Sequence, residues 1–369
     1  MGDKVNRRDF IKKTAQITGG AILTGLAACD DRLALWDRLS HAKIYVTNNS
    51  GNSVSVIDNS SFTVSATITG FNTPQFVGVN PNTNKIYVAN GGANNVLVID
   101  GNTNSVSTIT TGGNPIGVGV NPNTNKIYVS DSTNVYVIDG NTNTFSTISP
   151  VGAMNLQRVD VNPNTNRIYV ADFGTSAVVV IDGNTNNVIT SFSLPAAPSG
   201  VAVNPNTNRI YMVNQASTKV FVIDGNTNTS TTITIPTTSL FEIDVNPDTN
   251  KIYVADAAFP NTLVVIDGNT NIPTQISLPG VPNGVAVNTN TNRIYVTDST
   301  GNNLLVYDGN TNGPIATIGP LSINPLFVAV NPNINRIYVS DNGTPTGTVA
   351  VIDGNNNTFM STIPVGDTP

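Results

Sequence analysis

The stretch Lys85-Ile86-Tyr87-Val88-Ala89-Asn90 decides the fold, because its Ile-Tyr core returns at a nearly constant interval along the chain. In the same copy, Phe76-Val77-Gly78-Val79 precedes an Asn-Pro-Asn-Thr-Asn turn, and Val96-Leu97-Val98-Ile99 precedes an Asp-Gly-Asn-Thr-Asn turn. Short β-branched and aromatic runs bounded by Gly, Pro, Asn and Asp predict strands joined by tight turns. A Ser/Thr-rich stretch ending near Thr110 completes four antiparallel strands in each repeat.

Eight copies of this repeat, each about 42 residues long, predict an all-β propeller of eight four-stranded blades, because ring closure protects strand edges. Nothing like Phe76-Val79 precedes the first copy, so the first blade is expected to be incomplete. Either it has three strands, or the segment from Leu33 to Leu39 supplies a substitute. A seven-bladed ring with one unit outside it is the alternative. The Ile-Tyr pairs begin at Ile44, Ile86, Ile127, Ile168, Ile210, Ile252, Ile294 and Ile337.

The N-terminus is predicted to be an export signal over residues 1–28, followed by a tether over 29–40 and the propeller repeats over 41–369. Arg7, Arg8 and Phe10 lie in a segment that resembles the twin-arginine export motif. Leu26-Ala27-Ala28-Cys29 resembles a lipobox, which gives the only cysteine a role as the acylated residue. We therefore expect an exported protein, periplasmic or at the cell surface, with a lipid anchor. In a Gram-negative host, the Asp that follows Cys29 favours the outer leaflet of the inner membrane.

Ile-Tyr-Val-Thr-Asn at 44–48 and Ile-Tyr-Val-Ala-Asn at 86–90, each followed by a Val-Ile-Asp run, resemble the YVTN-repeat β-propellers over residues 41–369. The resemblance implies the propeller fold. Members of that family serve as surface-layer modules, as periplasmic proteins and, in one branch, as single-stranded DNA binders, so the resemblance leaves the function open.

Charge argues against nucleic acid as the partner. The chain has 17 Lys and Arg against 23 Asp and Glu, and only 11% of its residues are charged. Removal of the cationic signal makes the balance more acidic, whereas binding to phosphate backbones needs clustered cations. Single-stranded DNA binding is therefore the third of the functional hypotheses.

One face of the predicted ring carries loops that hardly change between copies. A Lys or Arg begins each second strand there and an Asp ends each third strand, which predicts one cation–carboxylate pair per blade, with a structural role. The Asp-Gly-Asn-Thr-Asn loops offer one carboxylate each, whereas calcium loops offer several oxygen ligands. Turn formation is the preferred interpretation of these aspartates, and no metal site is predicted.

The opposite face carries the loops that vary, and variation within a fixed frame indicates a recognition surface. Five second strands end there in aspartates, which either cap the following hairpin loops or present an acidic surface to a partner. The expected partner is a protein or another component of the cell envelope, with contact to the membrane through lipid only. The candidate binding residues on this face are Asp131, Asp172, Asp256, Asp298 and Asp341.

On two innermost strands, charged residues occupy positions that are small or apolar in most other copies. They are Arg158 and Asp160 in the fourth blade and Glu242 and Asp244 in the sixth. They form either salt bridges between blades or a site at the channel mouth. A hydrolase or lyase with such a carboxylate site is the alternative function. Because His41 is the only histidine and lies before the first blade, no metal site or histidine base is expected. No cofactor is expected either, because Cys29 is assigned to the signal and Trp36 lies outside the repeats. The preferred function is a membrane-anchored binding scaffold without catalytic residues.

Overall fold

The computed structural model describes residues 33–36, 43–198, 200–214, 217–236, 239–321, 324–341, 347–367 and 369, with side chains from residue 43 onward. Arg7, Arg8, Phe10, Cys29 and His41 lie outside the described residues. The described chain forms 32 strands in eight antiparallel four-stranded sheets, which confirms the prediction of eight blades.

Each blade uses four consecutive strands, numbered along the chain. Blade 1 contains β1 (Leu33–Trp36), β2 (Lys43–Asn48), β3 (Ser53–Asp58) and β4 (Thr63–Thr69). Blade 2 contains β5 (Pro74–Asn80), β6 (Lys85–Asn90), β7 (Asn95–Asp100) and β8 (Val106–Thr110). Blade 3 contains β9 (Val118–Asn121), β10 (Lys126–Ser130), β11 (Val135–Asp139) and β12 (Phe145–Ile148). Blade 4 contains β13 (Leu156–Asn162), β14 (Arg167–Asp172), β15 (Ala177–Asp182) and β16 (Asn187–Ser193).

The second half of the ring repeats the arrangement. Blade 5 contains β17 (Gly200–Asn204), β18 (Arg209–Val213), β19 (Lys219–Asp224) and β20 (Thr229–Thr234). Blade 6 contains β21 (Leu240–Asn246), β22 (Lys251–Asp256), β23 (Thr262–Asp267) and β24 (Ile272–Ser277). Blade 7 contains β25 (Pro282–Asn288), β26 (Arg293–Asp298), β27 (Asn303–Asp308) and β28 (Pro314–Ile318). Blade 8 contains β29 (Pro325–Asn331), β30 (Arg336–Asp341), β31 (Thr348–Asp353) and β32 (Thr358–Pro364).

The two middle strands of every blade are buried on both faces, because each blade packs between two neighbours. In β6, every residue after Lys85 is buried, and the outermost strand β4 instead alternates between exposed and half-buried residues. Strands covered on both sides read as continuous apolar runs, which is why the Ile-Tyr-Val segments lack alternation. The eight repeated tyrosines are fully buried between blades: Tyr45, Tyr87, Tyr128, Tyr169, Tyr211, Tyr253, Tyr295 and Tyr338.

Packing between blades closes the ring. Eight hydrophobic clusters each join one blade to the next among the described residues, and one of them brings Ile44 and Val46 of blade 1 against Tyr338 and Val351 of blade 8. The amide of Gly51 also donates to the carbonyl of Asp367 at 3.3 Å. We call this interface between the last blade and the first the seam.

The repeat itself supplies three strands to blade 1, and the innermost strand comes from outside the repeat pattern. Strand β1 pairs antiparallel with β2, with Leu33 opposite Val46 and Trp36 opposite Lys43. The segment that the sequence left as a possible substitute therefore completes the blade.

Helical structure in the described residues is limited to one 3-10 turn, Gly91–Ala93. None of the described segments forms a helix long and apolar enough to span a membrane.

Candidate functional site

The strand order places two kinds of loop on opposite faces of the ring. The uniform face carries the Asn-Pro-Asn-Thr-Asn loops between first and second strands and the Asp-Gly-Asn-Thr-Asn loops between third and fourth strands. In blade 2 these loops touch: the amide of Gly101 donates to the carbonyl of Asn84 at 2.8 Å, and Asn84 Nδ2 donates to Asn102 Oδ1 at 2.7 Å. The variable face carries the loops between second and third strands and the connections between blades.

The cations of the uniform face bind the next blade instead of the aspartate predicted as their partner. The backbone pairing is as expected, with Lys85 opposite Asp100. However, Lys85 Nζ donates to the carbonyl of Gly140 at 2.6 Å, in the third-to-fourth-strand loop of blade 3. Lys43, Lys126, Arg167, Arg209, Lys251 and Arg293 make the equivalent contact to a glycine carbonyl of the next blade. In seven of the eight blades the predicted ion pair is therefore replaced by a clamp between blades, and in blade 8 the Arg336 guanidinium instead stands over the Phe62 ring of blade 1, 5.1 Å from its centroid.

The aspartates of these loops form turns, as the preferred interpretation predicted. Asp100 Oδ1 accepts the amides of Asn102 at 2.8 Å and Thr103 at 3.0 Å. These hydrogen bonds, led by the Thr103 amide, lower the pKa of Asp100, and Lys85 is a lesser cause. No cluster of three or more His, Cys, Asp or Glu residues suited to a metal ion occurs in the described part of the chain.

Asparagine side chains of the uniform face satisfy one another around most of the ring. Asn80 Nδ2 donates to Asn125 Oδ1 of the next blade at 2.7 Å, and the same bond follows from blade to blade. The donor–acceptor pairs are Asn80–Asn125, Asn121–Asn166, Asn162–Asn208, Asn204–Asn250, Asn246–Asn292 and Asn288–Asn335. Many of the side-chain hydrogen bonds on the uniform face therefore join neighbouring blades.

The five aspartates predicted as candidate binding residues lie on the variable face and are buried, each at most 3% exposed: Asp131, Asp172, Asp256, Asp298 and Asp341. Their oxygens accept hydrogen bonds from the loops that follow them. Asp131 accepts the amides of Thr133 and Asn134 at 2.7 and 2.6 Å and the hydroxyl of Tyr136 at 2.5 Å. These contacts are the hairpin caps that the sequence allowed for, and direct binding of a partner by these carboxylates stays a prediction.

Several apolar side chains that were not predicted as binding residues from the sequence are exposed on the variable face. Val151 is fully exposed and Met154 is 61% exposed, both on the connection from blade 3 to blade 4. Phe173, on the hairpin loop of blade 4, is 42% exposed. Phe259, on the hairpin loop of blade 6, is 94% exposed. An isolated apolar residue within a polar loop was the available signal, but exposure depends on how the loop folds.

Two shallow clefts open beside the capping aspartates. One, of about 170 Å³, is lined by Val151, Gly152, Ala153, Asp172 and Thr175 together with side chains of β15 and β16. The other, of about 260 Å³, is lined by the residues around Asp131 and Tyr136. Both are smaller than the roughly 300–1,000 Å³ of a typical small-molecule site. Their size fits single side chains of a larger partner.

The aspartates of the central channel join innermost strands. Asp160 Oδ1 accepts the amide of Val161 at 2.7 Å and its Oδ2 accepts the amide of Val203, in the next blade, at 2.8 Å. Asp244 makes the same two contacts to Val245 and Val287, at 2.7 and 2.8 Å. Burial raises the pKa of Asp244 to about 8 and raises that of Asp160 well above its usual range.

Arg158 and Glu242 lie nearer the variable end of the channel. The Arg158 guanidinium stands over the ring of Phe76, across blade 3, with its central carbon 4.7 Å from the ring centroid. Glu242 is 6% exposed. These four charged residues therefore share the channel wall, and their role in binding or catalysis stays a prediction.

The comparisons with known proteins support the propeller fold. The family model of the NHL repeat matches residues 280–307, which cover β25, β26 and all but the last residue of β27. The dihydro-heme d1 dehydrogenase NirN, solved in complex with DHE, superposes with a TM-score of 0.74 at 13% identity, over 92% of this chain and 76% of that one. The hydrazine synthase of Kuenenia stuttgartiensis superposes with a TM-score of 0.59 at 17% identity, over 74% and 94%. No curated protein sequence matches.

Proposed function

We propose that this chain is an exported, lipid-anchored binding module that holds a protein partner on its variable face. The observation that carries the proposal is the cluster of exposed apolar residues over blade 4, Val151, Met154 and Phe173, which we call the blade-4 patch. Exposed apolar side chains grouped beside a cleft are typical of protein-binding surfaces.

The blade-4 patch is held in place before any partner arrives. The amide of Phe173 donates to the carbonyl of Asn155 at 3.1 Å, which ties the two loops of the patch together. Asp172 accepts the amide of Met154 at 3.2 Å and the hydroxyl of Thr175 at 2.7 Å. A surface ordered in advance loses less conformational entropy on binding, so these bonds favour affinity.

The uniform face is a weaker candidate for the contact. Its lysines and arginines donate to glycine carbonyls of the next blade, and its aspartates accept loop amides. A partner would have to compete with these internal bonds. The same engagement of the cations argues against a phosphate backbone as the ligand.

Two sequence features support the proposed location: the twin-arginine-like segment with Arg7 and Arg8 favours export, and the lipobox-like segment ending at Cys29 favours acylation. Site-specific photo-crosslinking in the host membrane tests the binding proposal. A benzophenone amino acid at Val151 should give one predominant protein adduct, and the same probe at Thr103, exposed on the uniform face, should not.

A second variant separates binding from mere proximity. In the variant that carries the probe at Val151, Phe173→Ser should reduce the yield of the adduct at least fivefold. The substitution removes apolar contact area beside the probe and leaves the probe itself unchanged. Equal adducts at Val151 and Thr103, or an adduct unaffected by Phe173→Ser, would show that the blade-4 patch is not the contact.

A further inference from the structure

The chain enters the ring through the centre of the variable face. Strand β1 runs antiparallel to β2, whose first residue, Lys43, lies at the uniform face and whose last residue, Asn48, lies at the variable face. Leu33 pairs with Val46, so β1 begins near the variable face, and Trp36 pairs with Lys43 at the opposite end. The described chain therefore begins on the side of the variable loops, in the innermost strand of blade 1.

We propose that the variable face lies against the lipid bilayer, which is the surface that Phe259 contacts, while the uniform face points away from it. This orientation rests on the lipid anchor at Cys29 of the proposed function. It adds a consequence for the partner, since a protein that reaches the blade-4 patch must then belong to the same membrane or lie at its surface.

Chain length limits the alternatives. Four residue steps separate Cys29 from Leu33 and reach at most about 14 Å in extended form. An innermost strand of seven residues, such as β5, spans roughly 23 Å at about 3.3 Å per residue. A tether that leaves the variable face cannot pass around or through a body of that thickness, so it cannot hold the uniform face against the membrane.

The chemistry of the two faces agrees with this orientation. Phe259 projects from the variable face almost fully exposed, and aromatic side chains are favoured at the interface between lipid and water. The capping aspartates of that face are buried beneath their loops. The uniform face instead presents loop aspartates whose pKa values are lowered by backbone amides, such as Asp139 and Asp182, and these stay ionised and hydrated.

Two matched reporters test the orientation. Ser132 is exposed on the variable face and Ser105 is exposed on the uniform face, so Ser132→Cys and Ser105→Cys are equally conservative substitutions. An acylated Cys29 has no free thiol, and each variant of the processed, full-length lipoprotein can therefore carry one bimane label. In liposomes with head-group spin-labelled lipid, we expect quenching at position 132 to exceed quenching at position 105 at least threefold.

The outcomes distinguish the two proposals. Equal quenching at both positions, or stronger quenching at position 105, would overturn the orientation while the anchor stands. Bimane labelling of the protein without an added cysteine, together with its recovery in the soluble fraction, would show that Cys29 is not acylated. That result would overturn the anchor and with it the orientation.

Discussion

The clamp between blades predicts a specific loss when one of its cations is removed. In Lys126→Met the stem of the side chain is kept and the ammonium is lost. Lys126 Nζ donates to the carbonyl of Gly183 at 2.7 Å and to Asn186 Oδ1 at 3.1 Å, both in blade 4. Its backbone neighbour Asp139 uses Oδ1 to accept the amides of Asn141 and Thr142.

The size of the loss distinguishes a clamp from a surface ion pair. Hydrogen bonds to charged groups contribute about 1.5–3 kcal/mol, whereas exposed ion pairs contribute about 0–1 kcal/mol. Because Lys126 is half-buried, we expect a loss of about 2 kcal/mol in the free energy of unfolding. For a ring of roughly 330 residues this corresponds to about 3 °C in Tm.

A double-mutant cycle assigns the partner. Asn186 has a positive φ of 57°, so Asn186→Gly removes the acceptor without straining the backbone. Asp139→Asn keeps the Oδ1 atom that forms the turn and removes the charge. Urea unfolding should give a coupling of about 1 kcal/mol between positions 126 and 186 and less than about 0.5 kcal/mol between 126 and 139.

The reverse result would refute the clamp. A larger coupling between positions 126 and 139, or a cost below about 0.5 kcal/mol for Lys126→Met, would mean that the cation acts as a surface ion pair after all.

Three further predictions concern the loops, the channel and the buried tyrosines. Gly140→Ala should cost about 2 kcal/mol in urea unfolding, because its Cβ would lie 2.2 Å from Asn125 Oδ1, and Gly313→Ala, which meets only one atom at 3.3 Å, should stay within about 0.5 kcal/mol. The pKa of Asp244 is raised to about 8, so the folded state binds more protons than the unfolded state. The contribution of Asp244 to the free energy of unfolding should be complete near pH 4 and be lost as the pH rises to 8. Asp244→Ala should therefore flatten the dependence of stability on pH between pH 5 and 9, measured by urea titration. The hydroxyl of Tyr128 is buried without a hydrogen-bond partner among the described residues, so Tyr128→Phe should raise the free energy of unfolding by about 1 kcal/mol; a loss of that size would contradict the assignment.

The strands and turns were predictable because their causes are local. The Ile-Tyr-Val runs report burial on both sides, and the Asp that starts each third-to-fourth-strand loop forms a turn with its own neighbours, as Asp100 does. The pairing of Lys85 with Asp100 in register was also predictable, since it follows from the hairpin alone.

The side-chain partners were not predictable, because they depend on the ring. Lys85 reaches Gly140, a residue 55 positions away, and only the packing of adjacent blades brings the two together. Strand β1 carries no repeat motif, so its place beside β2 follows from the open position at the centre of blade 1. The exposed Val151 shows the same limit, because an apolar residue in a loop folds inward or outward according to contacts that the sequence does not specify.

The pairing of β1 with β2 also determines how the disc resists force. In the proposed lipid-anchored form, a pull between the anchor and the ring acts at Leu33, along the axis of β1 and out of the variable face. The hydrogen bonds between β1 and β2 are then perpendicular to the direction of pulling. They carry the force together instead of breaking one after another from one end of the strand. The shortest strand pairing in blade 1, the four residue pairs of β1 and β2, is thereby loaded in shear, so its hydrogen bonds must break together.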